Sequence, residues 1–210
     1  MHRTRLGFLV FIILYVGICG VFSRPLPLWG KEGNDMTEKK ERKVLFVVAH
    51  KDFRDEEFLE PKAVLEKAGF QVTVASSGLD TATGMLGMRY TPDLLLSKAT
   101  VGEYEGVVFI GGAGAKEYWD DQQAHTMVRE AVSSGKVVGA ICIAPVTLAR
   151  AGVLKGKKVT VFSSVVSALT AEGAQYTGKK VERDGLLITA SGPEAAKEFG
   201  SALAEALSGH

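Results

Sequence analysis

Cysteine is scarce in this chain. Its 210 residues hold two, Cys19 and Cys142, and Cys19 lies in an apolar N-terminal run, so a disulfide between them is not expected. No CxxC pair and no cysteine–histidine cluster occurs, which removes the usual basis for a structural zinc site; no cofactor and no metal is expected. Histidine is limited to His2, His50, His125 and His210, the first and last of them terminal. Blocks of positive charge are missing as well. Twenty-five Lys and Arg against 24 Asp and Glu leave a net charge of +1, and no basic run is long enough to follow a phosphate backbone, so nucleic acid is not an expected partner. Proline is rare beside glycine, six against 24, which suits a fold with many strand–helix turns. No internal repeat or low-complexity tract is visible.

What is present is apolar sequence of two kinds. The first is residues 6–22, LGFLVFIILYVGICGVF, an uncharged run behind the basic head of residues 1–5. It has no polar face, which argues against a globular helix. It is about long enough for a thin membrane span and slightly long for a signal-peptide core. Residues 1–23 are therefore expected to be a signal peptide or a membrane anchor, with the domain exported or anchored on the extracytoplasmic side. Residues 24–42 carry Pro, Gly, Asn and mixed charge without an apolar period and read as a linker.

The second kind is a series of short β-branched runs between helical segments in residues 43–208. Residues 43–49 (KVLFVVA), 71–75 (QVTVA), 106–110 (GVVFI), 136–141 and 157–162 (KKVTVF) read as strands, the first of them buried on both faces. Helical spacing falls over 55–68, 119–134, 145–151, 165–173 and 193–207, and Gly69 stops the first helix. Residues 76–96 are glycine-interrupted and read as turns and short strands at a sheet edge, and Asp184-Gly185 as the turn of a hairpin-like pair. The alternation predicts an α/β fold: a doubly wound, mostly parallel sheet sandwiched by helices.

In such a sheet ligands bind at the carboxyl ends of strands, where the winding reverses. Three pieces arrive there: His50 with the acidic start of the first helix, Asp55-Glu56-Glu57; Gly111-Gly112 directly after a strand; and Cys142 in KVVGAICIAPVTL, a strand-to-helix turn with Pro145 in the first turn of its helix. Singly, each has a plain reading. The acids suit a helix N-terminus, the glycines a tight turn, and the cysteine a small buried hydrophobe. Together they make chemical sense. A turn of this kind holds a nucleophile exposed, and a helix N-terminus beneath it favours the thiolate. The backbone N–H groups of Gly112 and Ile143 would stabilise an oxyanion, and a carboxyl group beside the sulfur would move a proton. His125 falls mid-helix and reads as a surface or packing residue; His50 is a candidate to face the crevice.

The position of Glu57 four residues before Pro61, the GVVFIGG strand and turn, AICIAP at the elbow and the late VERDGLLITASGP segment resemble the ThiJ/PfpI superfamily, over residues 43 to 207. The resemblance implies a flavodoxin-like, class I glutamine-amidotransferase-like fold. It implies Cys142 as nucleophilic or oxidisable cysteine, Glu57 as the carboxyl group bonded to it, and Gly112 and Ile143 as oxyanion-hole amides. It also implies a homodimer or larger homo-oligomer. Two histidines of the superfamily are missing. The position after the cysteine is Ile143, and the end of the next strand reads Val161-Phe162-Ser163-Ser164. Ile110 stands where proline is common and Ala144 where glycine is. Without a histidine, peptide hydrolysis lacks its base, so a PfpI-type peptidase is the weakest expectation. Thiol addition to a small carbonyl substrate or a glycated adduct asks less, and the expected activity is glyoxalase or deglycase chemistry. A non-catalytic oxidation sensor or chaperone-like protein is the alternative.

Overall fold

The structure, a computed structural model, describes residues 41–209. The β-branched runs form its centre. Strands β1 (Lys43–Val47), β2 (Gln71–Ser76), β3 (Leu94–Leu95), β4 (Gly106–Phe109), β5 (Val137–Ile141), β6 (Val181–Asp184) and β7 (Leu187–Ala190) make one seven-stranded sheet in the order β6-β7-β5-β4-β1-β2-β3. Every neighbouring pair is parallel except β6 and β7. That pair is the expected hairpin, turning at Gly185, whose φ of +66° a residue with a side chain adopts at a cost. β4 and β5 are buried at every residue and β1 at all but its first. A strand covered on both faces reads as a continuous apolar run instead of an alternation.

Among the described residues five α-helices cover the sheet: α1 (Asp55–Lys67), α2 (Gln122–Ser133), α3 (Pro145–Arg150), α4 (Val166–Ala171) and α5 (Ala196–Ser208). α1 packs on α5, while α2 packs on α3 and α3 on α4. Two glycines set the closeness of α5. A Cβ on Gly200 would stand 2.7 Å from Cα of Pro61 in α1, and one on Gly139 in β5 would stand 2.8 Å from the Leu203 side chain. Pro61 itself lies inside α1 and has no N–H, so the carbonyl of Glu57, four residues back, loses its helical donor. The expected doubly wound sandwich is what the chain forms.

Two elements differ from the sequence reading. The helix expected over 119–134 begins at Gln122, after a 3₁₀ turn over Ala113–Tyr118, because the Asp121 side chain accepts from the Ala124 N–H at 2.7 Å and caps it there. The strand expected over 157–162 shrinks to Lys158–Val159, which pairs with Gln175–Tyr176 outside the main sheet. Its continuation is tied down by other bonds: Thr160 N–H to Thr189 Oγ1 at 2.9 Å, and Phe162 N–H to the Cys142 carbonyl at 2.9 Å. The segment therefore bends over the end of β5 instead of extending the sheet.

The glycine-rich stretch after β2 contributes Ala82–Gly84 and Arg89–Tyr90 to a small three-stranded sheet with Lys51–Phe53, from the loop before α1 (Asp55–Lys67). Asp55 holds it. Its buried carboxylate accepts from the Leu86 N–H at 2.9 Å and the Met88 N–H at 2.8 Å, and a Cβ on Gly84 would run into that carboxylate. So Asp55 does more than suit a helix N-terminus. Replacing it by alanine leaves the two amides without their acceptor, at about 1–3 kcal/mol each where water cannot reach them. We expect Asp55→Ala to lower the urea midpoint by an equivalent of about 2–4 kcal/mol, and Asp55→Asn, which keeps one acceptor oxygen, by less. Equal, small losses in both would show that the turn is held by other contacts.

The expected extracytoplasmic, membrane-anchored or exported placement is corrected. Among the described residues no helix is long and apolar enough to cross a membrane. The longest, α1 and α5, have 13 residues each, about 20 Å at 1.5 Å per residue against a hydrocarbon core of about 30 Å. Residues 6–22, on which the expectation rested, lie outside the described residues, as do Cys19 and the linker up to residue 40.

Candidate active site

β5 ends at Ile141, and the next residue, Cys142, has φ +64°. A residue with a side chain in this left-handed region costs on the order of 1–3 kcal/mol and persists only where its surroundings hold it. Two hydrogen bonds do so here. The Cys142 N–H donates to the Ala190 carbonyl at 2.9 Å, and the Cys142 carbonyl accepts from Phe162 N–H at 2.9 Å. The second bond orients the peptide between Cys142 and Ile143, which turns the Ile143 N–H the other way, toward the sulfur. The following peptide is fixed too, because Trp119 Nε1–H donates to the Ile143 carbonyl at 3.1 Å. α3 then starts with Pro145 in its first turn.

Glu57 comes from the first turn of α1 and is fully buried. Neither of its carboxyl oxygens has a hydrogen-bond partner of good geometry. The neighbouring Glu56 charge opposes its ionisation, while the Cys142 thiol, the Arg54 guanidinium and the Gly111 N–H favour the charged form. Burial outweighs them and pushes the carboxyl up to about 7. Gly111 separates the acid from the cysteine. A Cβ there would stand 2.6 Å from Cβ of Cys142 and 2.7 Å from the Ile141 carbonyl oxygen, and against a carboxyl oxygen of Glu57. Gly112 serves differently. Its φ is +105°, and a Cβ would strike the backbone of residues 52–54.

The Cys142 thiol is pushed up to about 12, first by burial and then by the charge of Glu57; the N–H groups of Gly112 and Ile143, both aimed at the sulfur, pull the other way. The expected lowering by a helix terminus does not prevail, because α3 is only six residues long and its dipole is outweighed by the loss of water around a sulfur in a residue only 9% exposed. The two groups face each other, so between those two values the pair holds one proton that both groups share in binding.

Cys142, Glu57, Gly112 and Ile143 line one cleft of about 430 Å³ at the carboxyl ends of the strands, beside the β1–β4 boundary where the winding reverses. The chain thus brings all four sequence-chosen residues together. It does not bring His50. That residue lies outside the cleft lining, its ring Nε2 is 3.3 Å from Asp80, and its N–H donates to Glu117. His125 is a packing residue, buried and with a ring nitrogen 2.8 Å from the Trp119 carbonyl. Sequence reasoning missed Arg54, Lys116, Trp119 and Phe162, all of which line the cleft. They sit in loops or in segments that read as regular structure, where no periodicity marks a side chain as facing a cavity.

A cysteine on a strained strand–helix turn, with a buried acid beside it and two amides aimed at the sulfur, defines an α/β protein of the cysteine-elbow type. The chain belongs to the DJ-1/PfpI family, whose model matches residues 42–206. It is 43% identical over 171 residues to an uncharacterised protein of Methanocaldococcus jannaschii, covering 80% of this chain and 83% of that one. It is 31% identical over 151 residues to a deglycase of Pyrococcus horikoshii, covering 72% and 90%. With a glutathione-independent glyoxalase of Caenorhabditis elegans the identity is 27% over 169 residues, covering 80% and 90%. A solved ThiJ/PfpI domain protein of Brachyspira murdochii superposes with a TM-score of 0.80 at 32% identity, covering 81% of this chain and 99% of that one.

Proposed function

We propose that the protein is a cysteine-dependent glyoxalase or deglycase acting on reactive carbonyls, with Cys142 as nucleophile, Glu57 as acid/base and the Gly112 and Ile143 amides as oxyanion donors. The observation that carries this reading is a fully buried carboxyl group set against a cysteine thiol across a glycine, with its ionisation moved up to about 7. At neutral pH such a group can both take and return a proton. The names of the relatives support the class of reaction.

The steps balance on a three-carbon 2-oxoaldehyde. Sulfur bonds to the aldehyde carbon while Glu57 takes the thiol proton and returns it to the aldehyde oxygen, held by the two amides, giving a hemithioacetal. Glu57 then takes the proton from that carbon, and an enediolate forms. Returning that proton to the neighbouring carbon, while the hydroxyl proton passes to the neighbouring oxygen, gives the thioester of a 2-hydroxy acid. Water cleaves the thioester, releasing the hydroxy acid and the thiol. The sum is methylglyoxal plus water to lactate. Because the base form of Glu57 does the work, the rate rises with pH through about 7.

A resting thiolate is not required, which fits a thiol pushed up to about 12. The burial of the sulfur disfavours the oxidation-sensor reading, since oxidation needs an accessible thiolate. Peptidase action is disfavoured because no histidine among the described residues lines the cleft. The test is lactate formation from methylglyoxal. We expect the wild type to produce it and Cys142→Ala to fall to the uncatalysed rate. Equal rates in both proteins, or none in either, would refute the proposal.

A further inference from the structure

The size and charge of the cleft bear on what its carbonyl is attached to. We propose that Lys116 receives the carboxylate of a glycated or hemithioacetal adduct whose carbonyl carbon lies at the Cys142 sulfur; the inference rests on Cys142 being the nucleophile. A cleft of about 430 Å³ is in the range that holds drug-sized ligands, and a bare three-carbon dicarbonyl leaves most of it empty. Its lining carries two cations, Arg54 and Lys116, and one carboxyl group, Glu57 on the floor.

The two cations are not equivalent. Arg54 is engaged, with Nε and Nη2 donating to the Glu56 carboxylate at 2.8 and 3.0 Å. Lys116 is exposed, and among the described residues no carboxylate lies within ion-pair distance of its Nζ. The acids of its own segment are all committed elsewhere. Glu117 accepts from the His50 N–H and Ser77 Oγ–H, Asp120 pairs with Arg150, and Asp121 caps α2 at Ala124. What holds the ammonium is an aromatic face: Lys116 Nζ lies 5.8 Å from the Trp119 ring centroid, and the Arg150 guanidinium lies 5.3 Å from the same ring. The wall of the cleft therefore presents one uncompensated point charge. It matches a monoanion. A phosphate dianion would call for the forked donor that Arg54 has already given to Glu56.

The experiment compares alkylation of Cys142 by iodoacetate and iodoacetamide, read by peptide mass so that Cys19 does not interfere. In both, sulfur bonds to the methylene carbon, iodide leaves and the thiol proton passes through Glu57 to water; the reagents differ in the carboxylate. One ammonium at contact distance, screened as at a protein surface, predicts that Lys116→Gln lowers the iodoacetate-to-iodoacetamide rate ratio about fivefold or more. Lys116→Arg keeps it, and Lys67→Gln at the far end of α1 leaves it unchanged. A ratio unmoved by Lys116→Gln overturns the inference and leaves the nucleophile reading intact. Failure of both reagents to label Cys142 overturns both. The second arm uses the methylglyoxal hemithioacetals of N-acetylcysteine and of its uncharged amide. The expected result is a lower KM for the carboxylate in the wild type, a difference that Lys116→Gln abolishes; equal KM values in the wild type count against it.

Discussion

Glu57→Gln is expected to make a protein that is about 10²–10⁴-fold slower in lactate formation and yet more stable at pH 8. The rate falls because glutamine takes no proton from the thiol or from the substrate carbon. The stability rises because the wild type carries a buried carboxyl group that must ionise. Its ordinary value of 4.5 is raised to about 7 in the fold. Between those values the folded state holds a proton that the unfolded state has released, so wild-type stability falls as pH rises from about 4.5 to about 7. Above pH 7 the accumulated loss is of the order of 3 kcal/mol. Glutamine, neutral throughout, escapes it. Urea unfolding of both proteins at pH 5 and pH 8 checks this: the gap between them should be small at pH 5 and open at pH 8. A gap independent of pH would mean that Glu57 is not the group held up in the fold, and full activity in the variant would remove it from the mechanism.

Gly111→Ala tests the spacer. The added methyl has nowhere to go, since it meets Cys142 Cβ at 2.6 Å, the Ile141 carbonyl oxygen at 2.7 Å and a carboxyl oxygen of Glu57. Two of these are parts of β5 and its elbow, which are pinned by hydrogen bonds to Ala190 and Phe162. Overpacking of this kind costs about 1–3 kcal/mol, and more when backbone must shift. We expect a loss of about 3 kcal/mol in urea unfolding. We also expect at least about 100-fold lower activity, because a displacement of order 1 Å between acid and sulfur is enough for that. Gly102→Ala is the comparison, since its Cβ would meet nothing within 4 Å and its effect should stay within about 0.5 kcal/mol. If the two alanine variants unfold alike, the Glu57–Cys142 contact does not depend on the absent side chain.

The legible features and the hidden ones differ in kind. β1, β4 and β5 could be read because a strand covered on both faces leaves an unbroken β-branched run. Cys142, Gly112 and the acidic helix start could be proposed because strand ends, helix starts and glycines are all local signals, and the topology of a parallel sheet brings such ends together; it is the family resemblance that singles out Glu57 among the three acids. The strand expected over 157–162 was misread because KKVTVF has the right residue types for a strand. What decides its path is the partner of each N–H, and Phe162 finds the Cys142 carbonyl instead of a strand neighbour. The depressed thiol expected at a helix N-terminus failed for a related reason: the length of α3 and the burial of the sulfur outweigh the local motif. The acid at Asp55 was read as one more charge at a helix start; only the folded chain shows the two amides of the Met85–Met88 turn delivered to it.

The sequence by itself determined the layer architecture, the strand–helix alternation and the residues at the strand ends, because periodicity and turn chemistry are properties of neighbours along the chain. The tertiary structure alone decided three things. It decided that Glu57 is buried enough to titrate near 7, that Gly111 is the gap through which acid meets sulfur, and that Lys116 faces the cleft without a carboxylate of its own. Each depends on groups dozens of residues apart, on the water they exclude and on the partners they leave over, and none of these is written in local spacing.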